Sequence, residues 1–227
     1  MASSKRALIT GVSEGGMGDA LAVELMDRYG YMMPILDSDL QKIKLNFDVN
    51  VFGMIAVTQA FFPMLRISRG ILVNQCSIAG LMASYQPFIN SYQASKSAAV
   101  KFSGALRVEL RPFGVKVVTL ITGAVDTPLW QNTEGARVGI PANSRYLPIK
   151  DRVEAMMTGQ SNPAGLTPAR EWAKGVVADL LKTNPPIHIR RGYLSITMWI
   201  VNWLMPWWMM DWLFTQSSGT GTLQKLL

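Results

Sequence analysis

The sequence has few of the residues that build metal sites and covalent catalytic sites. It contains one cysteine, Cys76, and one histidine, His188. A single cysteine cannot form an internal disulfide, and Cys76 stands in an apolar run, so we expect it to be a small buried residue. One histidine leaves little material for a histidine-based metal site or a Ser-His-Asp triad. Because His188 lies between two isoleucines, the pattern predicts a strand residue rather than a catalyst.

Charged residues are also scarce, and they are scattered along the chain. Only 16% of the 227 residues are Asp, Glu, Lys or Arg, although the net charge is +7. A positive balance suits an anionic partner such as nucleic acid, acidic lipid headgroups or a phosphorylated cofactor. The Lys and Arg residues occur singly or in pairs, without a basic block interleaved with aromatic residues. A nucleic-acid interface normally has such a block, so we predict no nucleic-acid partner.

The first residues lack the apolar stretch of a secretory leader. Residues 1–6 run directly into the apolar segment Ala7-Leu8-Ile9-Thr10. We therefore expect a protein of the cytosol, or one on the cytoplasmic side of the endoplasmic reticulum or a lipid droplet.

Apolar residues are abundant, at 49%, which is enough for one sizeable core. Helical and strand patterns alternate along the chain, and this alternation predicts an α/β layered architecture. The predicted strands cover residues 6–10, 70–77 and 115–121, and the predicted helices cover 16–29, 39–65 and 90–111. Residues 124–166 have no regular pattern, which predicts a lid or a disordered segment. Another helix is predicted from Thr167, with that threonine as N-cap and Pro168 in the first turn.

A tail of different composition, residues 192–227, follows a predicted domain over residues 1–191. The tail has no charged residue before Asp211 and contains five of the seven tryptophans. Three of these recur at every fourth position, which predicts one helix face: Trp199, Trp203 and Trp207. Tryptophan favours the membrane boundary, and two arginines precede the tail. Contact in the plane of a membrane, a pocket cover or dimer contact, and a true span all remain open.

Tyr92 and Lys96 are four positions apart on a predicted helix, so their side chains share one face. Carbonyl reduction needs a proton on oxygen as hydride reaches carbon, and an ammonium next to a tyrosine stabilises the tyrosinate that remains. Ser77, at the end of a predicted strand, is suited to hydrogen-bond a substrate oxygen. Taken alone, the Tyr–Lys spacing fits equally a core tyrosine beside a solvated lysine.

A glycine-rich turn over residues 10–18 follows the first predicted strand and opens a helix. It contains Gly11, Ser13, Gly16 and Gly18. Backbone N–H groups and the positive end of a helix suit a pyrophosphate, so this turn predicts dinucleotide binding. An ordinary tight turn has a similar composition.

The motifs together resemble those of short-chain dehydrogenases/reductases. They occur in the family's order: the glycine turn, Asn50-Val51-Phe52-Gly53, Ser77, and Tyr92-Gln93-Ala94-Ser95-Lys96. The resemblance implies a Rossmann-like, doubly wound parallel sheet. It also implies an enzyme that moves hydride between NADP(H) and a hydrophobic ketone or alcohol.

The resemblance further implies roles for single residues. Asn50, Ser77, Tyr92 and Lys96 would be catalytic, with Tyr92 as proton donor and Asn50 holding a water in the proton relay. The cofactor would contact the four named residues of the glycine turn together with Asn50, Tyr92, Lys96 and Thr127. No metal is expected.

A fungal branch of the family is the most similar in its motifs. This branch contains NADPH-dependent 1-acyldihydroxyacetone-phosphate reductases and related ketoreductases. Its marks here are the turn Ser13–Gly18, the pair Thr122-Gly123 and the segment Pro206–Asp211. The resemblance implies a lipid-like, steroid-like or polyketide ketone as substrate. It also implies a homodimer through the helices at 39–65 and 90–111.

The chain departs from the family after its first predicted helix. Only 39 positions separate Gly11 from Asn50. Roughly sixty residues, or about two β-α units, are expected to be missing at a join near residues 29–31. In the family, the missing segment contacts the adenine and selects NAD or NADP. We expect a sheet shortened by about two to three strands, whose first strand either pairs directly with the strand at 70–77 or leaves a slot. A catalytically impaired chain that keeps only membrane or partner contacts is therefore the alternative function.

Overall fold

The computed structural model describes residues 7–10, 30–81, 85–127, 129–133, 137–160 and 165–226. The glycine turn, with Gly11, Ser13, Gly16 and Gly18, lies outside the described residues. The helix predicted over residues 16–29 also lies outside them.

The strands of the described residues form a parallel sheet and a small second sheet. They are β1 (Ala7–Thr10), β2 (Ile71–Ser77), β3 (Lys116–Thr122), β4 (Val125–Asp126), β5 (Thr167–Pro168) and β6 (His188–Arg191). Within the described residues the larger sheet has the order β1-β2-β3-β6, and every neighbouring pair is parallel. β1 pairs directly with β2, with Ala7 opposite Ile71 and Thr10 opposite Asn74. The sequence left open whether the first strand pairs with the strand at 70–77 or leaves a slot, and in the structure it pairs with that strand, β2.

The described helices surround the larger sheet. They are α1 (Leu40–Phe47), α2 (Gly53–Ser68), α3 (Asn90–Glu109), α4 (Leu129–Asn132), α5 (Lys150–Met157), α6 (Ala169–Leu180), α7 (Ser195–Leu204), α8 (Trp207–Ser218) and α9 (Thr220–Leu226). The helix predicted over 39–65 is confirmed, with a five-residue π-helical segment, Asp48–Phe52, between α1 and α2. The helix predicted over 90–111 is confirmed as α3.

Alternate residues of β2 and β3 pack against opposite layers of helices, as the two-residue period of a strand requires. Ile71, Val73, Val118 and Leu120 pack with Trp172 and Val176 of α6. On the opposite face, Leu72 and Val117 pack with Leu65 of α2, and Cys76 packs with Ala99 of α3. Both central strands are therefore covered on both faces, and Cys76 is buried, as predicted.

Two expectations for the second half of the chain were wrong. The disorder expected as one alternative for residues 124–166 is contradicted by β4, α4 and α5, because short apolar groups such as Val153 and Met157 reach the core without a long periodic face, whereas the lid stays a prediction. Thr167 is not a helix N-cap, because its backbone N–H donates to the carbonyl of Ala124 (3.3 Å) and β5 pairs with β4. Pro168 occupies the N-cap position of α6 instead.

The tail forms separate helices rather than one. Proline at 206 lacks a backbone N–H and disfavours helical geometry at Met205, which is extended. α7 therefore ends at Leu204, and Trp207 begins α8. The prediction that Trp199, Trp203 and Trp207 share one helix face was wrong, because the third tryptophan belongs to the next helix.

One helical stretch among the described residues, Leu40–Ser68, is long and apolar enough to cross a membrane by length and composition. Buried core helices meet the same criterion. The apolar helix α7 has ten residues and is about 15 Å long, against about 30 Å for the bilayer core.

Candidate active site

A cavity of about 350 Å³ lies where β2 and β3 end. Its wall includes Gln75 and Ser77 of β2, Thr122 of β3, and Tyr92 and Gln93 of α3. In open parallel sheets, ligands bind at the carboxyl ends of the strands, and this cavity has that position.

Ser77 is held in place by the turn that follows it. Its backbone is extended, and its Oγ accepts a hydrogen bond from the N–H of Ala79 (3.1 Å), which caps a short 3₁₀ turn, Ile78–Gly80. A hydroxyl that accepts in this way can still donate its proton to a substrate oxygen. A Cβ on Gly80 would lie 2.6 Å from the carbonyl oxygen of Lys96, so glycine lets the turn pack directly against α3.

Tyr92 and Lys96 lie one helical turn apart on α3 and are both buried. The Lys96 Nζ is 5.9 Å from the centre of the Tyr92 ring, and Tyr92 lines the cavity. Because both side chains are buried, the positive charge of Lys96 is less screened than it would be in water and favours negative charge on the phenol. The structure therefore brings Ser77, Tyr92 and Lys96 together, as the sequence predicted.

Asn50 contacts this group through Ser95, which is next to Lys96 on α3. Its Nδ2 donates to Ser95 Oγ (3.1 Å) and to Asn46 Oδ1 (3.0 Å). Ser95 Oγ in turn donates to the backbone carbonyl of Tyr92 (2.7 Å). Asn50 is also in the middle of the π-helical segment, a distortion that is frequent at functional sites. It does not line the cavity, so its contact is with the helix that holds Tyr92, and its role in a proton relay stays a prediction.

Thr127 and His188 are not brought to the cavity wall. Thr127 is half-buried after β4, and its Oγ1 donates to the carbonyl of Val125 (3.4 Å). His188 is the first residue of β6, which confirms the strand prediction. Burial and the positive charges of Arg107 and Arg190 lower the pKa of His188.

The glutamines of the cavity wall were not predicted from the sequence. Gln75 is two residues before Ser77 on β2 and therefore lies on the same face of the strand. Its Nε2 donates to Thr122 Oγ1 (2.9 Å). Gln93 follows Tyr92 directly. The alternation along β2 was the signal that could have identified Gln75. Nothing in the spacing of helix α3 distinguished Gln93 from a surface residue.

The tail completes the wall of the cavity. Met198 of α7 and Phe214 of α8 line it, and Trp130 and Met156 contribute from the segment that lacked a pattern. The ring of Tyr85 contacts that of Phe214 edge-on at 5.4 Å. Burial, and then the nearby carboxylate of Asp211, raise the pKa of Tyr85. These contacts fit the pocket-cover role that the sequence left open for the tail.

The chain is similar to known proteins along most of its length. A family model described as short chain dehydrogenase matches residues 29–137. The chain is 33% identical to a short-chain dehydrogenase/reductase of Pestalotiopsis microspora, covering 99% of this chain and 98% of that protein. It is also 33% identical to a short-chain dehydrogenase of Penicillium ochrochloron, covering 90% of this chain and 72% of that protein.

The fold is similar to that of a short chain dehydrogenase from Burkholderia cenocepacia, whose crystal structure is a complex with NADP. The TM-score is 0.58 at 23% identity, covering 78% of this chain and 63% of that one. This likeness shows a Rossmann-like α/β fold. The fungal relatives and the family model show that the chain belongs to the short-chain dehydrogenase/reductase family of oxidoreductases.

Proposed function

We propose that this protein reduces a ketone to an alcohol, with NADPH as hydride donor and Tyr92 as proton donor. The observation that supports this most directly is that Ser77 and Tyr92 line one cavity, with Lys96 buried beside Tyr92.

In the proposed reaction the carbonyl oxygen accepts hydrogen bonds from Ser77 and Tyr92. The nicotinamide cofactor supplies a hydride to the carbonyl carbon when it is bound. The C=O π pair then moves to oxygen and takes the phenolic proton of Tyr92, which gives the alcohol and a tyrosinate. The Lys96 ammonium stabilises that negative charge, and Ser95 and Asn50 keep the helix turn of Tyr92 in position. A positioned proton donor of this kind accelerates a reaction by about 10²–10⁴-fold.

The described residues suit the nicotinamide end of such a cofactor. Tyr92 and Lys96 present a hydroxyl and an ammonium on one helix face, and these donors match the hydroxyl groups of a ribose. We propose that Thr127 contacts the nicotinamide and that the glycine turn binds the pyrophosphate. NADP is the ligand in the B. cenocepacia enzyme, and the net charge of +7 also suits a phosphorylated cofactor.

The lining of the cavity favours an uncharged, hydrophobic ketone. Among the described residues that line it there is no charged side chain, and Ile89, Trp130, Met156 and Phe214 give it an apolar surface. A phosphate group would enter without a cation to pair it, and an unpaired charge away from water is strongly unfavourable. Within the branch that the sequence resembles, a steroid-like, polyketide or neutral lipid-like ketone therefore fits better than an acyldihydroxyacetone phosphate.

We also propose that a segment is missing at residues 29–31, so that the sheet is shortened. The alignment with the P. microspora protein runs over 279 positions against 227 residues, so at least 52 of those positions are gaps in this chain. Direct pairing of β1 with β2 is consistent with lost strands. If the adenine contacts are lost, NADPH binds weakly. A catalytically impaired chain is then the alternative, and tight one-to-one NADPH binding in a calorimetric titration would argue against it.

The exposed apolar surfaces support two partner proposals. We propose that the tail, residues 192–227, binds the cytoplasmic surface of the endoplasmic reticulum or a lipid droplet in its plane. Its most exposed tryptophans are Trp203, Trp207, Trp208 and Trp212. We propose that a second copy of the chain covers the apolar side chains exposed on α2 and α3, among them Met64, Ile67, Phe102 and Val108.

NADPH carrying deuterium at the transferred position tests the proposed reaction. The chain is incubated with millimolar labelled NADPH and a panel of neutral cyclic ketones. We expect alcohols with one deuterium on the former carbonyl carbon. The absence of a labelled alcohol from every ketone would contradict the proposed function.

A further inference from the structure

Two buried glutamines in the cavity wall have amide groups without hydrogen-bond partners. Gln75 and Gln93 are each 5% exposed. Among the described residues, Gln75 Oε1 and both amide atoms of Gln93 lack a partner. A buried amide left unpaired is unfavourable, and proteins pair almost all such groups. Both side chains also line the cavity, so a ligand bound there is a candidate for the missing partner.

The two amides flank the reactive pair. Gln75 lies on the same face of β2 as Ser77, and Gln93 is next to Tyr92 on α3. Gln75 Nε2 donates to Thr122 Oγ1 (2.9 Å), which leaves Gln75 Oε1 as the unpaired atom of that amide. Gln75 therefore offers an acceptor, whereas Gln93 offers both an acceptor and a donor.

We propose that Gln75 and Gln93 bind a hydroxyl group of the substrate, separate from the carbonyl that is reduced. A hydroxyl donates its proton to Gln75 Oε1 and accepts from Gln93 Nε2, so one group pairs an atom of each amide. A carboxylate or phosphate has no proton to donate, and its negative charge would face the Gln75 oxygen. The substrate is thus a hydroxylated ketone with a hydrophobic body. This inference rests on the proposed function, because it assigns the second polar group of the same substrate.

Equilibrium binding of matched ketones tests this assignment without cofactor. Binding of 1-tetralone and of its phenolic hydroxy derivatives to the 227-residue chain is measured by calorimetry. We expect at least one hydroxy derivative to bind about tenfold more tightly than 1-tetralone, since a hydrogen bond to a buried group contributes on that scale. In Gln93→Leu the hydroxy derivative should bind only about one to three times as tightly as 1-tetralone, and the affinity for 1-tetralone should be unchanged.

Gln86→Leu is the matched control, because Gln86 lines the same cavity and has no unpaired buried amide atom among the described residues. This variant should keep the preference for the hydroxy derivative. The ligand-free melting temperature is the second readout. Gln93→Leu removes an amide that is not hydrogen-bonded, so its melting temperature should stay equal or rise.

The inference is overturned if no hydroxy derivative binds more tightly than 1-tetralone, or if Gln93→Leu keeps the preference. It is also overturned if Gln93→Leu lowers the melting temperature, because the amide would then be bonded in the ligand-free chain. These binding and melting measurements do not depend on catalysis, so they can be separated from a test of the proposed reaction. A lost preference in Gln93→Leu, together with full reductase activity in Tyr92→Phe, would leave the hydroxyl site intact and remove the reaction assigned to Tyr92.

Discussion

At the scale of single residues, the site depends on how each hydroxyl or amide is oriented by its neighbours. Ser77, Tyr92 and Lys96 could be predicted from the sequence, because the end of a strand and a four-residue helical spacing are local features. The hydrogen bond of Gln75 could not be predicted, because its partner Thr122 is 47 residues away on another strand. The close approach of Gly80 to Lys96 is equally invisible in the sequence, since it depends on the packing of a turn on a helix.

Gly80→Ala tests that close approach. The added Cβ would lie 2.6 Å from the Lys96 carbonyl oxygen, so the turn must move and take Ser77 with it. We expect about 1–3 kcal/mol less stability, as for overpacked cores, and a lower rate of ketone reduction. Gly104→Ala is the control, because a Cβ there meets nothing within 4 Å and alanine favours the helix by about 0.5–1 kcal/mol. Equal melting temperatures for wild type and Gly80→Ala would contradict the packing.

At the scale of elements, the long helices and the strands β1 to β3 were predicted, and the two-residue strands were not. α3 and the segment from α1 to α2 are long enough for a helical pattern to be recognised, although the buried face of α3 has polar side chains such as Ser91 and Gln93. β4 and β5 have two residues each and exist only because they pair with one another, so Thr167 resembled a helix cap in the sequence. α6 and β6 are joined by Asp179, whose carboxylate accepts hydrogen bonds from Lys182 (2.6 Å) and Arg191 (2.8 Å).

Asp179→Asn tests this connection and its dependence on pH. Burial by itself would raise the pKa of Asp179, but the hydrogen bonds and charges of Lys182 and Arg191 outweigh burial and lower it. The carboxylate thus stabilises the fold above the pKa of an unfolded aspartate, about 3.9, and this contribution is lost as pH falls through the lower folded value. We expect Asp179→Asn to lose about 1–2 kcal/mol at pH 7, since both cations are partly exposed.

Urea unfolding from pH 7 to pH 2 measures both effects. Asp179→Asn should show a smaller decrease in stability below about pH 4 than the wild type. Glu171→Gln, an exposed change on the same helix, should shift stability by less than about 0.5 kcal/mol. If the free energy of unfolding falls in parallel with pH for wild type and Asp179→Asn, the Asp179 carboxylate is not the source of the pH-dependent stability.

At the scale of the whole molecule, the tail has two different surfaces. Phe214 faces the cavity, whereas Trp207 and Trp208 at the start of the same helix are exposed. The α/β class and parallel sheet followed from alternating patterns in the sequence. The use of the tail as a cavity wall did not, because it depends on how α7 and α8 turn back after Pro206.

Trp203→Glu tests the proposed membrane contact, because it places a charge on a side chain that is 73% exposed. If the Trp203 ring is buried in the membrane surface, its loss should weaken binding to vesicles of phosphatidylcholine and phosphatidylserine about tenfold or more. Leu181 is an exposed apolar residue outside the tail, so Leu181→Glu should bind the vesicles as tightly as the wild type does. A wild-type chain that remains in the supernatant when such vesicles are sedimented would contradict the membrane contact. A chain that stays with the membrane after alkaline extraction would indicate a transmembrane span instead of binding in the plane.

The most direct test of the account is the NADPH-dependent reduction of a neutral cyclic ketone by Tyr92→Phe. This change removes the phenolic proton and keeps the ring that lines the cavity. At millimolar NADPH we predict that the rate falls by about 10²-fold or more, while binding of the ketone is unchanged. Tyr146→Phe, which alters a half-buried tyrosine outside the cavity wall, should keep the wild-type rate. A Tyr92→Phe chain that reduces the ketone at a rate close to that of the wild type would contradict the account.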